Sequence, residues 1–247
     1  MLDQFFTNVD VAAKCLSTLD LTLFDTIVEP SCGNGSFYNL LPQAIGIEID
    51  AKVACKDAIV MDFFDFSIGG KVLVVGNPPF GRVSNLAVKF FNHAATFADT
   101  IAFIVPATFR RRSVQDRLDL NFKLKINRVI APKSFTPDMQ ARCVWQVWKR
   151  GGRRFVQKVH KSEDFWVVSP DMADIAIKAY GGTGDCGLII NPKDVINPKA
   201  YHFIALKNPS IKKRLAKLPY YPLAGWAVRQ DSIGMKDIYQ LYHMQYK

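Results

Sequence analysis

Val74-Val75-Gly76-Asn77-Pro78-Pro79-Phe80-Gly81 is the stretch whose reading decides the fold. Its apolar lead-in, Val72 to Val75, is too short for a helix and fits a buried parallel strand. It stops in Gly-Asn-Pro-Pro, which neither strand nor helix continues through, because proline fixes φ and has no N–H to donate. Strand ends of this kind are where open α/β sheets hold their ligands. The edge therefore offers an amide side chain, stiff carbonyls and an aromatic ring, a group rich in acceptors.

That chemistry suits one task. An amino group conjugated to a ring, as on adenine, is a poor nucleophile because its lone pair is delocalised. Hydrogen bonds from its two protons to the Asn77 side-chain oxygen and the Pro78 carbonyl would draw the nitrogen toward tetrahedral geometry. The lone pair would then face an electrophilic methyl group. Phe80 would stack on the base, a contact worth about 1–3 kcal/mol. The alternative is a turn that merely closes a strand.

Upstream, Val9, Ala12, Ala13 and Leu16 repeat at helical spacing after Thr7 or Asn8 as N-cap. Thr26-Ile27-Val28-Glu29-Pro30-Ser31-Cys32-Gly33-Asn34-Gly35 reads as a strand, then a glycine-rich turn leading into a helix whose first N–H groups face a ligand. Gly33 and Gly35 let backbone approach a ligand closely, although many such turns carry glycine for steric reasons alone. Glu29 in front of the turn repels a phosphate and suits a cationic amino group. A second strand, Ala44 to Ile49, ends in Glu48, an acceptor for ribose hydroxyls or a solvated strand-end carboxylate. A third, Ala58 to Met61, leads to Asp62 and Phe63, a receiver and cover for an adenine ring, with Phe63 equally suited to the core.

Ser84 caps a helix whose face carries Leu86, Ala87, Phe90, Phe91, Ala94 and Phe97. A fifth strand, Thr100 to Val105, precedes Arg110-Arg111-Arg112 on the same sheet edge as Asn77. These arginines read as phosphate contacts, since cations at a helix start oppose its dipole. Ile126–Ile130 and Cys143–Trp148 form a hairpin, joined by a loop containing Lys133, that adds an antiparallel strand. Gly151-Gly152-Arg153-Arg154 marks a boundary between residues 1–150 and 151–247. Beyond it the pattern is irregular until a helix over Met235–Tyr246. Lys133, Arg153 and Arg154 join the arginine run as nucleic-acid contacts.

The 247 residues carry a net charge of +10, unevenly placed. Residues 1–149 hold 16 Lys+Arg against 14 Asp+Glu, and residues 150–247 hold 16 against 8. A basic second half is the footprint of a nucleic-acid partner, or of a surface that merely aids solubility. No apolar run is long enough to span a membrane, and the first residues carry no signal-peptide pattern, so a cytoplasmic or host-cell location is expected. The five cysteines and four histidines are dispersed, which argues against disulfides and against a bound metal.

Together these stretches, over roughly residues 3–150, resemble the class I S-adenosylmethionine-dependent methyltransferases that act on adenine N6, most of all the gamma-type DNA enzymes. Asn77-Pro78-Pro79-Phe80 is similar to their catalytic signature, and Phe5-Phe6-Thr7-Asn8 to an amino-terminal Phe-Thr-Pro element, with Asn8 where proline is usual. The resemblance implies a Rossmann-like α/β fold, a seven-stranded sheet with an antiparallel strand, followed by a small irregular basic region for target recognition. It implies S-adenosyl-L-methionine held by Phe6, Thr7, Glu29, Pro30, Cys32, Gly33, Gly35, Ile49 and Asn77. Glu48 would take the ribose, Asp62 the adenine amino group, and Phe63 would cover the ring. It implies methylation of flipped-out adenine in DNA. The rivals are adenosine in ribosomal or cap-proximal RNA, protein glutamine, and a silent nucleic-acid-binding subunit.

Overall fold

The computed structural model describes residues 5–138, 141–156 and 159–246, so the reading of residues 1–4 lies outside it. The chain divides into two compact units, Met1–Phe155 and Val156–Lys247.

The first unit is built on seven strands: β1 (Thr26–Glu29), β2 (Ile45–Glu48), β3 (Ile59–Val60), β4 (Val72–Gly76), β5 (Thr100–Pro106), β6 (Phe122–Val129) and β7 (Cys143–Arg150). Their order across the sheet is β3-β2-β1-β4-β5-β7-β6. Strands β1 to β5 pair in parallel, and β7 runs antiparallel to both neighbours. This is the Rossmann-like α/β arrangement, a seven-stranded sheet with an antiparallel strand, that the resemblance implies. The strand order reverses between β1 and β4, so their carboxyl ends mark the switch point at which open α/β sheets bind ligands.

Strands buried on both faces need continuous apolar runs, and β4 and β5 supply them. Alternation then assigns the faces. Val72, Val74, Ile101 and Phe103 join one core with Phe90, Phe91 and Ala94 of helix α2 (Asn85–Phe97). Leu73, Val75, Ala102 and Ile104 join another with Ala12, Cys15 and Leu16 of helix α1 (Val9–Leu16). Trp148 seals the first core edge-on to Phe91 at 5.5 Å, and Trp145 the second, stacked on Phe37 at 6.1 Å.

Two expectations fail between the strands. No α-helix follows the glycine-rich turn; the β1–β2 connection makes turns and one 3₁₀ turn, Tyr38–Leu40. Two glycines at positive φ and Pro42 leave too little uninterrupted chain for a helix nucleus. Ser84 sits at the start of α2 but in a left-handed conformation, without a side-chain cap.

The Gly151–Arg154 stretch belongs to the first unit. Gly151 N–H bonds to the Asn121 carbonyl at 2.7 Å, and Arg154 N–H to the Leu120 carbonyl at 2.7 Å.

The second unit, read as irregular from sequence, is an ordered fold. Strands β8 (Phe165–Val167), β9 (Ile175–Lys178), β10 (Ile189–Ile190) and β11 (Tyr201–Leu206) form an antiparallel sheet in the order β8-β11-β9-β10. Its core joins Phe165, Ile177 and Ile204 to Ile211 and Leu215 of α4 (Ser210–Ala216) and to Ile238 and Tyr242 of α5 (Met235–Tyr246). Strands of two to six residues give too few alternations to read. Among the described residues no helix is long and apolar enough to cross a membrane.

Candidate active site

Glu29, Glu48 and Gly76 end β1, β2 and β4 on one edge of the sheet. Across that edge lies the segment Phe5–Asn8. Phe6 and Thr7 pair antiparallel with Thr136 and Phe135 of the β6–β7 connection. Asn8 occupies the N-cap position of α1 as expected, its carbonyl accepting from Ala12 N–H at 3.1 Å, but its side chain is turned elsewhere; its amide donates to the Lys133 carbonyl at 3.0 Å and accepts from the Thr136 hydroxyl at 3.0 Å. The residue standing in the proline position thus ties the segment to the β6–β7 loop.

This strap orients Asn77. Its side-chain nitrogen donates to the Phe5 carbonyl at 3.1 Å. A carbonyl only accepts, so the amide can face it only with its nitrogen, and Oδ1 is left as acceptor. The Ser31 hydroxyl donates to the Asn77 carbonyl at 3.3 Å, a contact that sequence reasoning missed because no local pattern signals it. Pro78 is buried, while Pro79 and Phe80 are half-buried, with Phe80 against both cores.

Among the described residues the buried side-chain oxygens without a hydrogen-bond partner are Thr7 Oγ1, Glu29 Oε2 and Asn77 Oδ1. All three belong to the strap or to the strand ends beneath it. Leaving such an acceptor unmatched costs about 1–3 kcal/mol, so a group of them calls for a reason. Glu29 is the most exacting. Burial pushes its carboxyl well above the usual carboxylate range; a hydrogen bond from the Tyr38 backbone works the other way, and the Glu48 charge adds to the rise. Gly76 makes room for it: at φ +151° its absent Cβ would lie 3.1 Å from Glu29 Cγ.

Glu48 is buried and largely engaged. Oε2 accepts from Gly33 N–H at 2.9 Å, and Oε1 from the N–H groups of Ile49 and Asp50 at 3.0 and 3.1 Å. Of about four lone-pair directions on a carboxylate, one remains for an incoming hydroxyl. Gly33 therefore spends its N–H on Glu48, and the Phe6 ring covers its α-carbon, where a Cβ would sit 2.9 Å from the ring. Ile49 is exposed, and Pro30, Cys32 and Gly35 are buried behind the turn. Asp62 accepts from Phe64 N–H at 3.0 Å through Oδ1 and is half-exposed. Phe63 needs correction. It is 2% exposed, stacked on Phe90 at 5.2 Å with His93 edge-on at 4.8 Å, so packing has claimed its faces for the core.

The chain after Phe80 is strained. Val83 (φ 53°) and Ser84 (φ 59°) are both left-handed, a conformation β-branched Val83 rarely takes. The Ser84 and Thr108 hydroxyls, 2.9 Å apart, hold it. Val83→Gly should raise stability by about 0.5–1 kcal/mol, the left-handed cost less glycine's added chain entropy; an unchanged or lower denaturation midpoint would contradict this.

The basic residues separate by edge. Arg110, Arg111 and Arg112 follow β5, and Lys133 lies in the β6–β7 loop, all at the Asn77 edge. The dipole reasoning against a helix is overturned: Arg112 opens a short helix, α3 (Arg112–Gln115), with Asp116 3.8 Å away to offset its charge. Arg110 reaches Asn127 at 3.4 Å. Arg153 and Arg154 lie beside the start of β6, the opposite edge. Arg154 is a structural clasp, donating to the carbonyls of Phe122 at 2.6 Å and Gln115 at 2.9 Å with its guanidinium over Trp148. Among the described residues no group of three or more His, Cys, Asp or Glu is placed to hold a metal ion.

No family model matches the chain, and no curated protein does. Among solved structures it is similar to a chain of a type I R-M system, at 17% identity and TM-score 0.48, over 60% of this chain and 42% of that one. It is similar to the 23S rRNA methyltransferase ErmE, at 17% identity and TM-score 0.47, over 63% and 72%. It is similar as well to the Mtq2–Trm112 complex of E. cuniculi, responsible for methylation of the eRF1 translation termination factor, at 12% identity and TM-score 0.43, over 59% and 95%. The chain thus spans less than half the length of the first of these.

Proposed function

We propose that the protein transfers a methyl group from S-adenosylmethionine to the N6 amino group of adenine in nucleic acid, with DNA preferred over RNA. One observation carries this reading: Asn77 Oδ1, turned to its acceptor face by the Phe5 carbonyl, is buried at the strand end without a partner. An amino group satisfies that oxygen and is activated by doing so.

The cofactor site fits by its donor set. Two further unmatched acceptors, Thr7 Oγ1 and the desolvated Glu29 carboxyl, suit a cationic ligand rich in amino protons. Glu29 and Thr7 would take the amino-acid end, Glu48 a ribose hydroxyl and Asp62 the base. S-adenosylmethionine supplies an activated methyl carbon when bound. The chain's own residues accept both adenine protons, at Asn77 Oδ1 and the Pro78 carbonyl, and hold the ring on Phe80. A base taken from a duplex must unstack, at a cost of a few kcal/mol. No strong base stands in the motif, so proton loss follows transfer.

The backbone of the nucleic acid would meet Arg110–Arg112 and Lys133, with residues 156–247 as the target-recognition region. In that unit Lys207, Lys212, Lys213 and Lys217 are exposed on and around α4. Replacing Arg110, Arg111 and Arg112 by alanine should weaken nucleic-acid affinity and reduce the salt slope by about two to three contacts' worth. An unchanged slope in a salt titration would remove them from the interface. Nucleosides recovered from DNA and RNA oligonucleotides treated with protein and cofactor test the whole reading by mass spectrometry. N6-methyldeoxyadenosine is expected; methylation confined to protein glutamine would overturn it.

A further inference from the structure

Two thiols, Cys32 of the implied cofactor set and Cys55 outside it, meet beside the glycine-rich turn. Cys32 Sγ and Cys55 Sγ lie 3.0 Å apart, with the Cys55 thiol donating. They come from different loops. Cys32 precedes Gly33 and is pinned by its N–H to the Ile47 carbonyl at 2.9 Å, whereas Cys55 belongs to the β2–β3 connection. Gly46 makes the space: a Cβ there would lie 3.4 Å from Cys32 Sγ and 2.8 Å from the Tyr38 ring. Cys32 is buried and Cys55 half-exposed, so an oxidant reaches Cys55 first and finds its resolving thiol in contact.

We propose that Cys32 and Cys55 are a modification site, a dithiol that a hydroperoxide converts reversibly to a disulfide joining the glycine-rich turn to the β2–β3 connection. The hydroperoxide transfers its outer oxygen to the Cys55 sulfur, giving a sulfenic acid, and the rest leaves as water from hydrogen peroxide or as an alcohol from an organic hydroperoxide. The Cys32 sulfur then attacks that sulfur; the S–S bond forms, the S–O bond breaks, and hydroxide leaves with the Cys32 proton as water. A dithiol reductant, or two monothiols, returns both electrons and both protons and is itself oxidised to a disulfide. The bond ties together the two loops that flank Glu48, so the turn can no longer yield to a nucleoside.

The sequence alone points the other way, since five dispersed cysteines suggest no disulfide; only the folded loops bring residues 23 positions apart into contact. A transient bond of this kind suits a reducing compartment better than a structural one.

The test uses the full chain treated with hydrogen peroxide, then alkylated and digested. A Cys32–Cys55 linked peptide is expected, absent after dithiothreitol and absent from Cys55→Ser, with a melting temperature several degrees higher in the oxidised wild type only. Cofactor affinity is expected to fall at least about fivefold on oxidation, and not in peroxide-treated Cys55→Ser. This last readout rests on the cofactor proposed above: if the reduced protein binds no S-adenosylmethionine, that reading fails while the linked peptide still decides this one. Both cysteines remaining alkylatable, or Cys55 passing to sulfinic acid unpaired, would overturn the proposal.

Discussion

Asn77→Ala is expected to lower methyl transfer by about 10²–10³-fold, the loss usual when one preorganised group facing the developing charge is removed. Cofactor affinity should change far less. The expectation follows from the division of labour within one amide: nitrogen to the Phe5 carbonyl, oxygen to the substrate. Alanine removes both, so Asn77→Asp separates them. Aspartate keeps the acceptor and loses the donor, setting a carboxylate against the Phe5 carbonyl and loosening the strap while leaving adenine an oxygen to bond. It should retain more turnover than alanine and bind cofactor less well. Single-turnover rates and cofactor titrations on the three proteins measure this. Near-wild-type turnover in Asn77→Ala would end the assignment.

Glu29→Gln should abolish detectable cofactor binding and make the empty protein more stable. The carboxyl is buried with Oε2 unmatched, and burial raises its pKa well above 4.5. A carboxyl with a raised folded-state pKa holds its proton more tightly folded than unfolded. Its contribution to stability is therefore whole below the unfolded value, and it is lost as pH rises toward the folded one. Glutamine does not titrate. The variant's advantage should be small near pH 4.5 and grow as pH rises toward neutral, read as a melting-temperature difference that widens with pH. A gap that narrows with pH, or a variant that still binds cofactor tightly, would show that Glu29 is not the cation's partner. A site that destabilises its own empty fold is a common cost of function.

The order of strands and turns is legible in the residues themselves. Val72–Val75 and Thr100–Val105 are continuous apolar runs, and the glycines and prolines that stop strands act within a few residues. Glu29, Glu48, Asp62 and Asn77 are legible for the same reason, because each ends or follows a strand and the parallel register carries them to one edge. The helix expected after Gly35 is not there, since local propensity could not sustain it across so broken a segment. Nor do the short strands of residues 156–247 announce themselves, because two to six residues carry almost no periodicity.

What the chain determines by itself, then, is which polar groups stand at the sheet edge. Which of their atoms remain open was decided only by tertiary structure. Asn77 finds its donor's partner 72 positions away at Phe5, Arg154 spends its charge on the carbonyls of Gln115 and Phe122, and Phe63 turns inward to Phe90. The reason is physical. Backbone conformation answers to neighbours in sequence, whereas a side-chain hydrogen bond or an aromatic stack answers to whatever the fold brings within a few ångströms.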